Sequence, residues 1–513
     1  MRKFFYVLIA CLLVAELSFS KELFYITKFG AKADGKTNNT KAIQKAIDAA
    51  AVKGGIVIVP AGEFLSGTIF LKSNTELHLM QGAKLIASPR IEDYAHLSWG
   101  HHEDRTPWHL IVAKDQKNVT ISGKGEIYGN GPAYRDPNRK NEFSFFREIE
   151  YRPSPLIEIQ GCQQVQIKDI HITESPGWTI HLYDSDNAKV SGITIENSLY
   201  GPNSDGIDIT GSHEVIISDC NIKSGDDAIA VKTTEDSRTC ERIAITNCVF
   251  ETNCVAVRIG FESRKDISDI TVSNCVIKNT SRAIDVRTVE GGNIRNVFVS
   301  GITGKIDSGW AVDRIIEVHS NRIDNPYDIA IKEHPNFGKA KPVEKAGVIE
   351  NIHFSNMHFR TSGRILVSAI SEGLIDNISF ENINLTYNLL EDAREIGKVA
   401  QSVGFARNLP FVRSQNATFV VENAANIRIQ NYVVKWPVYP VPDDCLLLAS
   451  PNRLYNKWFF DGNEAKIKSG EMRVKYDVFA FRNAQNIQLQ NTTSVNSENG
   501  AEYFSSENSI ILK

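Results

Sequence analysis

The chain has little charge of one sign. Its 57 Lys and Arg stand against 61 Asp and Glu over 513 residues, a net of −4, so it lacks the basic field that holds nucleic acid. It has one long apolar run, Phe4–Ala15, and no second one follows. Twelve residues are too few to span a bilayer, which takes about 20. Met1-Arg2-Lys3 precedes the run and small residues at Ser18-Phe19-Ser20 follow it. That pattern predicts a signal peptide over residues 1–20 and an exported mature chain, periplasmic or extracellular, without a transmembrane segment. Cysteine is sparse as well. Of eight, seven remain after Cys11 leaves with the signal, an odd number that argues against a disulfide scaffold in a chain this large. No Gly-x-Ser-x-Gly nucleophile and no Gly-rich phosphate loop occurs, which sets aside serine-hydrolase and P-loop chemistry.

What the chain does have is repetition. Short alternating stretches end in Asn, Asp or Gly: VQIKD at Asp169, ITIEN at Asn197, VIISD at Asp219, IAITN at Asn247, ITVSN at Asn274 and VFVSG at Gly301, in steps of 28, 22, 28, 27 and 27 residues. An earlier copy ends at Gly123, and later ones end at Asn356, Asn382, Asn431 and Asn491. A period of 20–30 residues carrying strands and no helix is the mark of a solenoid, whose units bury their apolar face only against neighbours. The reading is an all-β parallel β-helix filling residues 21–513 as one catalytic domain, monomeric. Asn and Asp belong at the turns, where their side chains tolerate turn dihedrals. Cys220, Cys248 and Cys275 each follow a turn residue, which predicts an inward ladder of small apolar side chains.

NNTKAIQKAIDAAAVKGG, from Asn38 to Gly55, has capping residues, Ile43 and Ile47 one turn apart and a glycine stop. It predicts a short helix that covers the open end of the stack. The polar and aromatic stretches Pro89–Trp108 and Asp136–Arg152 predict loops thrown out from the coils, where solenoids build binding faces. Trp99–Arg105, WGHHEDR, falls in the first; its His, Glu and Asp are neighbours on one loop and so incomplete as a metal site.

Numbered from its turn residue, each coil gives the same spatial column at the same offset. Asp205 lies eight residues after Asn197 and Asp227 eight after Asp219. Residues at one offset in adjacent coils stack about 5 Å apart, so the NSDG and GDD islands should bring Asp205, Asp226 and Asp227 together. Carboxylates that close resist joint ionisation, which raises one pKa. A protonated acid beside ionised ones is the equipment of glycosidic hydrolysis. Turn-forming Asp-Gly pairs and calcium ligation are the competing uses; the stacking of two islands favours catalysis.

These same stretches resemble glycoside hydrolase family 28, the polygalacturonase type. The resemblance rests on SPGWTIHLYDSDNAKVSGITIEN, NSDGID and GDDAIAVKT, with FGAKADGKTNNTKAIQKAID and GEIYGNGPAY toward the N-terminus. It implies a right-handed parallel β-helix, inverting hydrolysis of pectin and no metal or other cofactor. It also implies Asp226 as general acid, with Asp205 and Asp227 holding and activating water.

Departures from the family pattern bear on substrate. Where the family has Gly-His-Gly, this chain has NCVAVRIGFES, with Val255 at the His position. Where the family has Arg-x-Lys, it has Asp285 and Arg287. The expected substrate-binding set is Asn203, Lys232, Arg258, Asp285 and Arg287, with Trp178 and His181 one coil earlier; Arg282 shares the offset of Asp205 and Asp227. Such a set points to a decorated or rhamnogalacturonan-type pectin. A lyase on the same scaffold and a non-catalytic glycan-binding β-helix are the alternatives.

Overall fold

The computed structural model describes residues 22–512 apart from 99–104, 141–145, 149–150, 307–313, 323–342, 362, 388, 391–410, 412–416, 437–445, 448–476 and 496–503. The predicted signal peptide over residues 1–20, most of Trp99–Arg105 and Cys445 lie outside the described residues. Among the rest, strands wind into parallel coils in one right-handed β-helix, the hand that parallel crossover connections almost always take. A 24-strand sheet carries two faces of the coil and a 13-strand sheet the third.

The turns account for the winding. Asp169, Asp219, Asn247, Asn274, Asn356, Asn382, Asn431 and Asn491 all adopt positive φ, between 52° and 59°, a left-handed geometry that Asn and Asp tolerate better than other side chains. Their amides join along the axis: Asn382 Nδ2 donates to Asn356 Oδ1 at 2.9 Å and Asn431 Nδ2 to Asn382 Oδ1 at 2.8 Å. Asn197 is not in this column. Ser191, not Glu196, pairs with Lys168 and with Ser218, so the turn residue of that coil is Gly192, at φ 65°. The ITIEN strand belongs to the adjacent column, where Glu196 pairs with Lys223. Two strands of one coil carry the same alternating pattern, and pattern alone confused them.

Inward residues form one continuous core from Ile26 to Ile487. Cys220, Cys248 and Cys275 are buried and stack in it, each thiol donating to the carbonyl two residues back at 3.1–3.2 Å. The predicted helix is present at Thr40–Ala51; it buries Ile43, Ala46, Ile47 and Ala50 on the end of the stack. Its start is held by Asn38, whose Oδ1 accepts from Thr40 N at 3.0 Å. The second predicted loop carries a two-strand antiparallel hairpin, Arg135–Lys140 with Phe146–Glu148.

Candidate active site

The 13-strand sheet turns one face outward, and its register assembles the site. Ile207 pairs with Ile229 and Ile180 with Ile207. Trp178, Asp205 and Asp227 therefore stack in one column, tied by Thr179 N to Asp205 O and Gly206 N to Asp227 O, both 2.9 Å. Val255, Arg282 and Arg314 continue it. The predicted stacking of Asp205 under Asp227 is thus present, although its anchor was misplaced. Eight residues separate Asn197 from Asp205, but three separate its register mate Ser224 from Asp227. The extra residues, around Tyr200, bulge outward and leave Tyr200 exposed.

Asp205 and Asp227 are each 3% exposed, whereas Asp226 is half-buried at the surface. Their environments differ. Burial, with Asp208 and Asp226 nearby, pushes the Asp205 carboxyl well above the ordinary range against the pull of Lys232. Burial alone would also raise Asp227; the Arg258 guanidinium outweighs it and holds Asp227 low. Arg258 grips both oxygens, with Nη2 3.1 Å from Oδ1 and Nε on Oδ2. The Asp226 carbonyl accepts from Ser224 Oγ at 2.8 Å and from Thr252 Oγ1, which pins the backbone that aims its side chain. Asp226, Asp227 and Cys254 bring donor atoms within 4.8 Å of one another, a spacing a small cation needs. Asp227 is already gripped by the Arg258 cation, and burial keeps the Cys254 thiol protonated.

A half-buried carboxyl over two buried ones in opposite protonation states is an acid–base pair for water-dependent bond cleavage. The comparisons with known proteins agree with that chemistry. The sequence model of Glycosyl hydrolases family 28 matches residues 51–313. The chain belongs to glycosyl hydrolases family 28. It is therefore a glycoside hydrolase of the polygalacturonase type. A probable polygalacturonase of Vitis vinifera is 28% identical over 72% of this chain and 75% of its own length. The exo-poly-alpha-D-galacturonosidase of Dickeya chrysanthemi is 26% identical over 70% and 71%. In fold, the family 28 exopolygalacturonase of Yersinia enterocolitica superimposes with a TM-score of 0.62 at 17% identity, over 96% of this chain and 78% of that one.

Within this family 28 scaffold, the positions of the family's Arg-x-Lys pair do not face the cleft. Asp285 and Arg287 are both 0% exposed. The Asp285 carboxylate receives Arg258 Nη1 at 2.7 Å and Arg282 Nη1 at 3.0 Å, with Arg287 Nη2 at 3.2 Å. Arg287 also reaches Glu317, which Arg314 joins from its own strand. Charges that offset suggests as a grip on substrate are in this structure a grip on one another, and Asp285 and Arg287 offer substrate no surface. The physical reason is column geometry: Arg258, Asp285 and Glu317 occupy successive rungs of one column, which sets Arg258 against Asp285 at strand spacing, while the like charges of Asp285 and Glu317 are bridged by Arg282 and Arg287 from neighbouring columns.

The earlier coils hold a second lattice. His181, expected at the substrate, is buried. Its Nδ1 lies 2.9 Å from Glu158 Oε2 and its Nε2 2.9 Å from Thr210 Oγ1. Arg105 crosses from its loop to Glu158 Oε1 at 2.6 Å. Trp178 is buried, and Lys232 Nζ sits 4.0 Å over its ring, occupying one of the faces a sugar could stack on. Lys232 lies 2.8 Å from Asp208 Oδ1, 3.7 Å from Asp205 Oδ2 and 3.9 Å from Glu262 Oε1. The 2.8 Å contact makes the Lys232 ammonium the partner of the buried Asp208 carboxyl. Burial, outweighing Lys232, raises Asp208 to about 7. Asn203 sits at the rim, where its Oδ1 accepts from Arg152 Nη2 at 3.1 Å. Asp208, Cys254, Glu262, Arg314 and Glu317 were not among the expected site residues. Column offset pointed to Asp208, two rungs before Arg258, and to Glu317, one after Asp285; nothing in the sequence pointed to Glu262.

Proposed function

We propose that this family 28 protein is an exported, inverting hydrolase of pectic uronide chains that works without a metal or other cofactor. The observation that carries the reading is the stacking of Asp205 against Asp227 in one column with Asp226 beside them. Asp226, the accessible member, protonates the glycosidic oxygen as it leaves. Asp227, ionised against Arg258, takes the proton of the attacking water, and Asp205 hydrogen-bonds that water from the rung below. Export is supported by the composition of residues 1–20, and pectin as substrate by the polygalacturonase relatives. The substrate we propose is a decorated or rhamnogalacturonan-type pectin, because the position that grips uronate in the family is filled by Asp285, closed off among arginines.

Defined pectic oligosaccharides, followed by NMR, test this. The expected products have saturated ends and inverted anomeric configuration at the first turnover, with no effect of a chelator. Asp226→Asn is expected to lose at least ~100-fold in kcat with an unchanged fold, as for a lost general acid. Ultraviolet-absorbing unsaturated ends would make the protein a lyase, and near-normal turnover by Asp226→Asn would remove that residue from the mechanism.

A further inference from the structure

Away from the aspartates, on the face that carries the Asn ladder, one outward column runs Phe298, His353, Ser379, Arg428 and Gln488. Ser379 is the short member between two long ones. Successive rungs stand about 4.8 Å apart, so the serine leaves a hollow between His353 and Arg428, of about 410 Å³. That lies within the roughly 300–1,000 Å³ of ligand pockets. Its walls are the strands Ile349–Thr361, Ile375–Tyr387, Ala425–Lys435 and Gln485–Gln490. His353 is backed by the half-exposed Phe298, ring on ring at 4.8 Å. Five pairings carry Ile216, in the coil of Asp227, to Ser379, which is about 24 Å along the axis.

The amide ladder breaks at this hollow. Asn377 Nδ2 donates to Asn351 Oδ1 at 2.7 Å, and Asn486 Nδ2 to Asn426 Oδ1 at 2.6 Å. Between these two links Asn426 turns aside, and its Nδ2 donates to Asp376 Oδ1 at 2.6 Å. Asn377 Oδ1 and the second Asp376 oxygen therefore take no donor from a described residue. Arg428 makes one hydrogen bond, Nε to Gln488 Oε1 at 3.3 Å, and no ion pair with a described residue. Its two Nη groups are left over. His353 has Nδ1 2.7 Å from Ser379 Oγ, and burial, with Arg428 nearby, holds it below its ordinary pKa. Arg428 is thus the cation of the described lining.

A ligand that suits the hollow carries a carboxylate for the guanidinium fork and hydroxyl donors for Asp376 and Asn377 on one small ring. A uronate has both. Sulfate meets the Asp376 carboxylate with nothing to donate, and a neutral sugar leaves the guanidinium unanswered. We infer that this hollow is a second, non-catalytic site, on a different face from the aspartates, that holds a uronate residue of a polysaccharide chain through Arg428 and Asp376. The site stands apart from the hydrolase reading, whereas its use rests on that reading: holding one stretch of a polymer raises the effective concentration of the rest at the aspartates. Arg428 takes no part in bond cleavage.

Titration calorimetry on the Asp226→Asn protein, with trigalacturonate as the probe, tests the site. Arg428→Gln, and Ser379→Tyr, which fills the hollow, should each remove one trigalacturonate site or weaken it at least ~10-fold, as for a lost charge-assisted pair. Sulfate and maltotriose should not compete for it. Binding unchanged by either substitution overturns the inference, as does competition by sulfate or maltotriose. Turnover with Asp226 intact tests the use. On long pectic chains the two substitutions should raise KM at least ~3-fold, with kcat/KM on a pectic trisaccharide unchanged. An unmoved KM on long chains overturns the anchoring role. If no pectic substrate is turned over, the hydrolase reading falls, while the titration still decides the hollow.

Discussion

Replacing Asp285 by Asn decides whether that carboxylate holds the cleft floor together or touches substrate. The side chain is fully buried, and three guanidiniums, of Arg258, Arg282 and Arg287, lie 2.7, 3.0 and 3.2 Å from one of its oxygens. Asn keeps the shape and removes the charge. The arginines are left to share Asp227 and Glu317, and uncompensated buried charge of this kind costs about 3–5 kcal/mol. With solvent excluded, no screening softens that figure. For an m-value of about 3 kcal/mol/M in urea, the unfolding midpoint falls by at least about 1 M. A second effect follows through Arg258, which Asp227 and Asp285 share. Released from Asp285, Arg258 commits to Asp227 and lowers its pKa further. A lowered carboxyl keeps its charge above its folded pKa and loses it as pH falls through that value. The acidic limb of kcat/KM should therefore move to lower pH. An unchanged urea midpoint together with a raised KM and an unmoved pH profile would refute this reasoning and return Asp285 to the substrate.

Asp208→Asn should change the pH dependence of stability. The folded carboxyl of Asp208 sits at about 7 against an ordinary 3.8, so the native state binds the proton more tightly and wild-type stability falls as pH rises between those values, at up to ~1.4 kcal/mol per pH unit. The variant lacks that slope, and its stability relative to wild type should improve by a few kcal/mol from about pH 4 to about pH 7 in chemical denaturation; a constant difference would exclude a raised Asp208. In the turn ladder, Asn382→Ala loses two amide bonds, to Asn356 and Asn431, and forces a Cβ-bearing residue without a compensating side chain into φ 55°. It should destabilise by about 2–4 kcal/mol, with Asn382→Gly recovering about 1–2 of that through its backbone freedom; equal losses in the two variants would show that the turn geometry carries no strain.

The sequence by itself determined the solenoid, its capping helix and the meeting of Asp205 with Asp227. In a parallel β-helix this is possible because offset along the chain becomes proximity in space: every rung repeats the last at about 4.8 Å, so residues 20 to 30 apart meet without any long-range fold to guess. The cysteine column at Cys220, Cys248 and Cys275 was legible for the same reason. Offset says nothing, however, about which of two similar strands a repeat belongs to, and only the pairing of Ser191 with Lys168 placed Gly192 rather than Asn197 at the turn. Nor does it say what an outward side chain meets. Arg258, Asp285, Arg287 and Glu317 are outward by alternation, yet arginines on the same and adjacent strands close over the two carboxylates and take Asp285 and Arg287 away from the substrate. A pocket beside Asp205 joins repeat positions, Trp178, His181 and Lys232, to two that spacing does not place: Arg105 comes from a loop and Glu262 from a bulge in the Val255–Ser263 strand, where the rule that turns sequence spacing into distance no longer applies.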